Sequence, residues 1–311
     1  MRIPLLLIVG PSAVGKSDVA VRVALALGGE VGTADSMQVY RGLDIGTAKP
    51  AAAERRGVPH HMIDVVDPDE EYSVARYQEQ AEAAIADIAA RGPRPRLVGG
   101  SGRDVRAGVE GLDFPLAADP VLRQQLAEQA RDLGAAALHA RLAQVDPAAA
   151  ARIHPNDEKR LLRALEVYES TGRPISAQQT IAPGAPSRYN ISAYGLTLPR
   201  PALYPRIEAR VDRMIERGLV EEVEGLLARG YGEQLVSMRG LGYRQIIGYL
   251  RGQYEFLGAV GRVKRDTRRL AKRQLTWFRA DRRLRWIDVE EAGGPEGVAA
   301  RIIEEGDGGP E

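Results

Sequence analysis

Apolar residues run unbroken over 3–9 (Ile-Pro-Leu-Leu-Leu-Ile-Val), then recur at helical spacing as Val19, Val23 and Leu27. A short continuous apolar run has the length and composition of a strand buried on both faces, and the 3.6-residue recurrence after it predicts a helix over 18–27. The alternation repeats. Residues 30–34 read as a second strand, and Ser73 opens a predicted helix that Gly92-Pro93 stops. Residues 96–98 read as a third strand, ending in Gly99-Gly100-Ser101-Gly102. Strand and helix in alternation predict right-handed parallel crossovers and a doubly wound α/β sheet.

The pattern changes from about Asp113 to Pro186. No strand candidate occurs there, and helical periods run over 122–133, 135–142 and 158–170. This predicts an all-helical insertion over 113–187, dividing an α/β core into 1–112 and 188–311. A strand pattern returns at 190–198. Helices follow at 200–218, 219–229 and 242–250, then a basic helix, a last strand at 284–289 and a short helical tail whose end is expected to fray.

Candidate chemistry starts between the first strand and the first helix, where Gly-Pro-Ser-Ala-Val-Gly-Lys-Ser at 10–17 satisfies G-x-x-x-x-G-K-[ST]. In that context successive backbone N–H groups and the positive end of the helix dipole face a bound anion. Lys16 offers a point charge to a terminal phosphate, and the Ser17 hydroxyl can ligate Mg²⁺. The loop implies a diphosphate or triphosphate without choosing between them. The second strand delivers Asp35, Ser36, Gln38 and Tyr40 to the sheet edge where ligands sit in open α/β folds. Asp35 suits a cap, a Mg²⁺ ligand or a general base equally. His60 and His61 are adjacent, so they read as a polar loop that orders on ligand binding rather than as a metal pair.

Composition adds limits. The chain has no cysteine, which removes disulfides, thiolate metal sites and cysteine nucleophiles and suits a reducing cytoplasm. The first apolar run is too short for a membrane span and carries no cleavage-site pattern. A net charge of +1 hides an uneven distribution, because basic residues crowd 262–285 against only Asp266 and Asp281. Such a cluster attracts a polyanion, and nucleic acid is the expected partner. Trp277 and Phe278 in that stretch are expected to pack in the core. Three functions fit these residues: a kinase, transfer of a group away from pyrophosphate, or a nucleotide-gated RNA-binding switch. The third strand ends without a carboxylate, which weighs against ATP hydrolysis.

Further motifs carry a resemblance. Ala-Asp-Ser-Met-Gln-Val-Tyr at 34–40, Asp-Ile-Gly-Thr-Ala-Lys-Pro at 44–50, Pro-His-His-Met-Ile-Asp at 59–64 and Val-Gly-Gly-Ser-Gly at 98–102 follow the phosphate loop. His-Pro-Asn-Asp-Glu-Lys-Arg-Leu-Leu-Arg-Ala-Leu-Glu-Val begins at 154, and Gly-Tyr-Arg-Gln and Ala-Lys-Arg-Gln-Leu-Thr-Trp-Phe-Arg occupy 242–245 and 271–279. In this order, over nearly the whole chain, they resemble the bacterial-type tRNA dimethylallyltransferases.

The resemblance implies a P-loop NTPase-like fold, Mg²⁺, dimethylallyl diphosphate and tRNA as partners, and a cytoplasmic enzyme acting as a monomer. Gly10, Pro11, Ser12, Ala13, Val14, Gly15, Lys16 and Ser17 would hold the diphosphate, with Arg244 helping. Asp35 would take the N6 proton of the adenosine 3′ to the anticodon, and Ser101 would hydrogen-bond near the reacting adenine. Ser36, Met37 and Gln38 would contact the flipped base or its neighbours. So would Arg123, Lys159, Arg160, Leu161, Leu162 and Arg163 of the insertion, although lone helical arginines are as often solvated or salt-bridged. Relatives that prenylate free adenine nucleotides share these motifs, and the insertion and the basic helix favour a polynucleotide. Ser12 and Ser101 stand where the family has threonine, and both keep the hydroxyl. Arg103 and Asp104 put charge where the family pattern expects an apolar wall.

Overall fold

The computed structural model describes residues 2–111, 120–178 and 188–306. The first elements in chain order are β1 (Ile3–Val9), α1 (Lys16–Leu27), β2 (Gly29–Ala34), α2 (Ala52–Arg55) and β3 (His60–His61). Next come α3 (Val74–Ala90), β4 (Arg94–Gly99) and α4 (Gly102–Glu110), and then the helices α5 (Pro120–Val145), α6 (Pro147–Ala150), α7 (Glu158–Thr171) and α8 (Ile175–Gln178). The chain closes with β5 (Tyr189–Thr197), α9 (Arg200–Glu216), α10 (Leu219–Ala228), α11 (Tyr243–Leu250), α12 (Phe256–Phe278), β6 (Arg285–Asp288) and α13 (Gly294–Glu304).

Two compact units result, one of residues 1–109 with 187–311 and one of residues 110–186. In the first, six strands pair in parallel in the order β3-β2-β4-β1-β5-β6. Successive strand residues face opposite sides. Val98 therefore joins the core of Ile8, Val19, Val23 and Val298 under α1 and α13. Leu97 faces the other way, against Gly108 of α4 and Tyr77 of α3. With β4 between β1 and β2, the chain reverses direction beside β1, and the carboxyl ends of β1, β2 and β4 open on one crevice.

The stretch after β2 becomes a wall of that crevice through polar contacts, most of them partly buried. Glu222 of α10 accepts the backbone N–H groups of Asp44 (3.1 Å), Ile45 (2.8 Å) and Gly46 (3.2 Å), together with the Tyr243 hydroxyl (2.6 Å). The Tyr243 ring lies so near Gly46 that a Cβ there would sit 2.5 Å from it, so this position requires glycine. Lys49 is buried and donates to Tyr40 O (2.9 Å), Asp44 (2.5 Å) and Asp64 (2.5 Å).

The two histidines depart from expectation. They form the short edge strand β3 beside β2, not a free loop. His61 Nε2 lies 2.6 Å from Glu30, which also holds Arg91, and His60 Nδ1 contacts Val58 O at 2.9 Å. These side chains are already partnered, so nothing is left to order.

In the second unit all described elements are helical. Gly134 (φ 80°) breaks α5 between the two periods read from sequence. Leu126, Leu138, Leu142, Leu161 and Leu165 form its core. Asp146 caps α6 and accepts both the N–H and the hydroxyl of Ser176. The tail expected to fray, 307–311, lies outside the described residues.

Glu222→Ala leaves three backbone donors and a phenol without their acceptor. We expect a loss of about 2–4 kcal/mol in urea unfolding. A change within 0.5 kcal/mol, roughly the size of an ordinary surface substitution, would contradict this role.

Candidate active site

The phosphate loop is shaped by backbone conformation. Gly15, the residue before α1, has φ 104°, and Ala13 has φ 66°. A Cβ on Gly10 would lie 2.6 Å from Leu196 O of β5, so close strand approach requires glycine there. Pro11 and Val14 are buried beneath the loop, and Ser17 is exposed in the first turn of α1. Lys16 folds back over the loop and donates to Pro11 O at 2.8 Å. Ser12 N donates to Gln274 Oε1 at 2.8 Å, while Gln274 Nε2 donates to Gly100 O at 3.0 Å. One amide from α12 thus ties the loop after β1 to the loop after β4.

Asp35 follows β2. Its Oδ1 accepts Met37 N (2.9 Å) and Gln38 N (3.4 Å), so one oxygen caps the turn, and no hydrogen bond to Oδ2 occurs among the described residues. Ser101 N donates to Ala34 O at 3.3 Å, setting Ser101 beside Asp35 at the ends of neighbouring strands. Gln38 is buried and donates to Thr47 O, Met37 is half-buried, and Ser36 points to solvent.

Lys16, Asp35, Met37, Gln38, Tyr243 and Gln274 line a cavity of about 910 Å³, which Gly99 and Gly100 also border; Ser36 and Ser101 are not among its lining residues. It is also lined by Arg206, Arg210 and Arg213 of α9 and by Arg217 just after it, which sequence reasoning passed over. The signal was available, because their spacing places all four on one helix face. Burial and the neighbouring Arg210 push the Lys16 ammonium down to about 7, and Asp35 opposes that shift. Burial and Arg213 likewise lower Arg210, with Asp35 and Glu54 opposing. Two crowded cations facing one carboxylate form a site that an anion would relieve.

Several expected residues lie elsewhere. Arg244 is exposed, with Nη2 3.5 Å from Asp266, and does not line the cavity. At the start of α11 the inward direction belongs to Tyr243, and the next residue points about 100° away. Arg210, and not Arg244, lines the cavity with Lys16. In the insertion, Leu161 is fully buried, so its side chain belongs to the core and not to a contact surface. Arg123 (3.2 Å) and Arg163 (2.9 Å) both hold the buried Glu166, and Arg160 pairs with Asp157 at 3.1 Å. Lys159 is exposed and Leu162 is half-buried. Phe278 packs in the core as expected, but Trp277 is 52% exposed, over Gly102.

Among the described residues no three His, Asp or Glu side chains gather to hold a metal. Ser17 can supply one oxygen, which suits Mg²⁺, an ion that keeps waters and takes phosphate oxygens.

A family model described as IPP transferase matches residues 38–281, and one described as isopentenyl transferase matches 3–65. A tRNA dimethylallyltransferase of Desulforudis audaxviator is 55% identical over 300 residues, covering 96% of each chain. That of Symbiobacterium thermophilum is 54% identical over 297 residues, covering 95% of this chain and 92% of its own. The chain belongs to the tRNA dimethylallyltransferase family. The full-length tRNA isopentenylpyrophosphate transferase of Bacillus halodurans superposes with TM-score 0.71 at 42% identity, covering 98% of this chain and 97% of that one. A eukaryotic dimethylallyltransferase acting on tRNA superposes with TM-score 0.78 at 29% identity, covering 91% of this chain and 73% of that one. The family matches together span the phosphate loop, Asp35, Ser101, Arg210 and Gln274.

The low value for Lys16 has a consequence. A bound diphosphate raises it again, so above about pH 7 binding takes up a proton. Calorimetry of inorganic pyrophosphate at about pH 8, in buffers of different ionisation enthalpy, should show more proton uptake for the parent chain than for Lys16→Arg, whose cation does not titrate. Equal uptake would contradict the assignment.

Proposed function

We propose that this protein transfers the dimethylallyl group of dimethylallyl diphosphate to N6 of the adenosine 3′-adjacent to the anticodon of tRNA (position 37), releasing pyrophosphate. The observation that supports the reading is a cavity lined by Asp35 together with Lys16 and Arg210, with Ser101 following the strand next to that of Asp35.

An exocyclic adenine amine is a poor nucleophile, so it needs a base at hand and a leaving group made good by cations. The N–H groups of 12–17, Lys16 and Arg210 would grip the diphosphate and stabilise the charge growing on it as the allylic C–O bond breaks. Ser17 would hold Mg²⁺, which would supply positive charge at the leaving group. Asp35, capped through Oδ1, keeps Oδ2 to receive the N6 proton. Ser101 would accept a hydrogen bond from the same amine. The amine of a stacked base cannot be approached in line, so the adenosine must leave the stack.

The polyanion reading of the basic helix becomes more specific. Lys264 pairs with Asp212 and Arg268 with Glu208, so α9 neutralises one face of α12. Arg200, Lys272 and Arg279 border a separate pocket of about 300 Å³, and none has an ion-pair partner among the described residues. These three cations, with Asp288 the one acid among the residues lining that pocket, would attract a phosphate backbone, which favours tRNA over a free nucleotide as acceptor. A kinase is disfavoured because β4 itself ends in Leu97-Val98-Gly99, without a carboxylate at its end. No helix among the described residues is long and apolar enough to cross a membrane. A reducing cytoplasm suits a chain without cysteine.

The test is incubation with Mg²⁺, unmodified tRNA and radiolabelled dimethylallyl diphosphate, beside a tube with γ-labelled ATP. Label is expected on tRNA, and label leaving ATP with none on tRNA would overturn the reading. In single turnovers Asp35→Ala should raise the barrier by several kcal/mol and Ser101→Ala by about one. A near-normal rate for Asp35→Ala would remove it as the base.

A further inference from the structure

Near its end α12 carries a large ring that the core does not take. Trp277 is 52% exposed, yet its indole is fixed on one side. A Cβ built on Gly102 would lie 2.1 Å from Trp277 Cδ1, 2.2 Å from Nε1 and 2.6 Å from Cγ. Three atoms of the five-membered ring at such similar distances place Gly102 over the ring face, because an approach at the edge would leave Cγ much farther away. The exposure therefore belongs to the opposite face and the outer edge. Gly102 opens α4 and does not lie in the left-handed region, so no turn requires glycine there. The ring does. A lone exposed apolar side chain needs no explanation, but a glycine whose one demand is to seat that side chain marks a built surface.

The seat lies beside the cavity. Gln274 lines the cavity and donates to Gly100 O at 3.0 Å. Trp277 is one turn further along α12, about 4.5 Å by helix rise, and rests two residues beyond Gly100. Arg273 shares the helix face of Trp277 four residues earlier, and Arg103 adjoins Gly102. Both arginines are exposed, and neither has an ion-pair partner among the described residues. An open aromatic face with such cations beside it suits single-stranded nucleic acid, whose bases stack while its phosphates meet the charges.

We propose that Trp277 is a stacking platform for the nucleobase next to the adenosine that leaves the stack. This rests on the dimethylallyl-transfer reading. Extruding one base strips its neighbour of a stacking partner on one side. The open indole face replaces that partner, so the neighbour stays ordered while the adenosine enters the cavity. Stacking tolerates any base, so the platform holds the loop in place without choosing a sequence. Trp277 takes no part in the diphosphate site.

The test uses the full chain and an unmodified anticodon stem-loop RNA, read by tryptophan fluorescence, beside transfer of labelled dimethylallyl diphosphate to unmodified tRNA. The chain has two tryptophans, and Trp286 is half-buried against Gly195. In Trp286→Phe, binding of the stem-loop should quench the remaining emission. An abasic nucleotide on one side of the target adenosine should abolish that quench, and on the other side should leave it. Trp277→Leu should weaken stem-loop binding roughly tenfold, while Trp277→Tyr, which keeps an aromatic face, should stay within about threefold of the parent. Neither should change the Kd for inorganic pyrophosphate. Should Trp286→Phe not fold, the parent compared with Trp277→Tyr reads the same quench by difference. Quenching that survives both abasic stem-loops, parent-like binding by Trp277→Leu, or equal losses for leucine and tyrosine would overturn the platform. A parent chain that puts no label on tRNA would instead overturn the transferase reading and this role with it, and the parent control tells the two apart.

Discussion

Lys16 and Arg210 are held close together against their mutual repulsion, in a cavity where Asp35 opposes both and Glu54 opposes Arg210. Left to itself, a chain would relax this arrangement by swinging one side chain into water. Several features prevent that. The left-handed turn at Gly15 and the bond to Pro11 O aim Lys16, and the close approach of β5 to Gly10 fixes the loop beneath it. Arg210 rides on α9, which α12 grips through Lys264 and Arg268. A site strained by like charges is a site prepared for an anion, because the ligand supplies the charge that the fold withholds.

The rest of the site depends on joining segments far apart in sequence. Gln274 uses both ends of one amide, accepting from Ser12 N and donating to Gly100 O. The helix offered to a polyanion is therefore the helix that sets the phosphate loop against the Ser101 loop. Glu222 does similar work on the opposite wall, gathering three backbone N–H groups and the Tyr243 hydroxyl so that 44–46 hold their shape beside the cavity.

What could be read from sequence follows from how local each signal is. The parallel strands, the phosphate loop and the break at Gly134 are written in contiguous residues, and the structure reproduces them within a residue or two. The separation of Tyr243 from Arg244 depends on which direction at the start of α11 faces the cavity, and a motif cannot state that. Arg210 was missed because its helix looked like an ordinary charged surface until it packed beside the phosphate loop. The acids that balance α12 come from α9, so charge counting within 262–285 overestimated what is free. Trp277 was expected in the core, but the bare surface of Gly102 gives its ring a seat that stays open to solvent.

The central claim is one of placement: the diphosphate lies on the 10–17 loop against Lys16 and Arg210, with its allylic carbon directed at Asp35. A crystal structure of the protein with Mg²⁺ and an unreactive thiolo analogue of dimethylallyl diphosphate tests this most directly. The account expects the phosphates to accept from the loop N–H groups, Lys16 and Arg210, with the first carbon on the side of Asp35 and Ser101. Phosphates bound away from the loop, or a chain pointing away from Asp35, would contradict it.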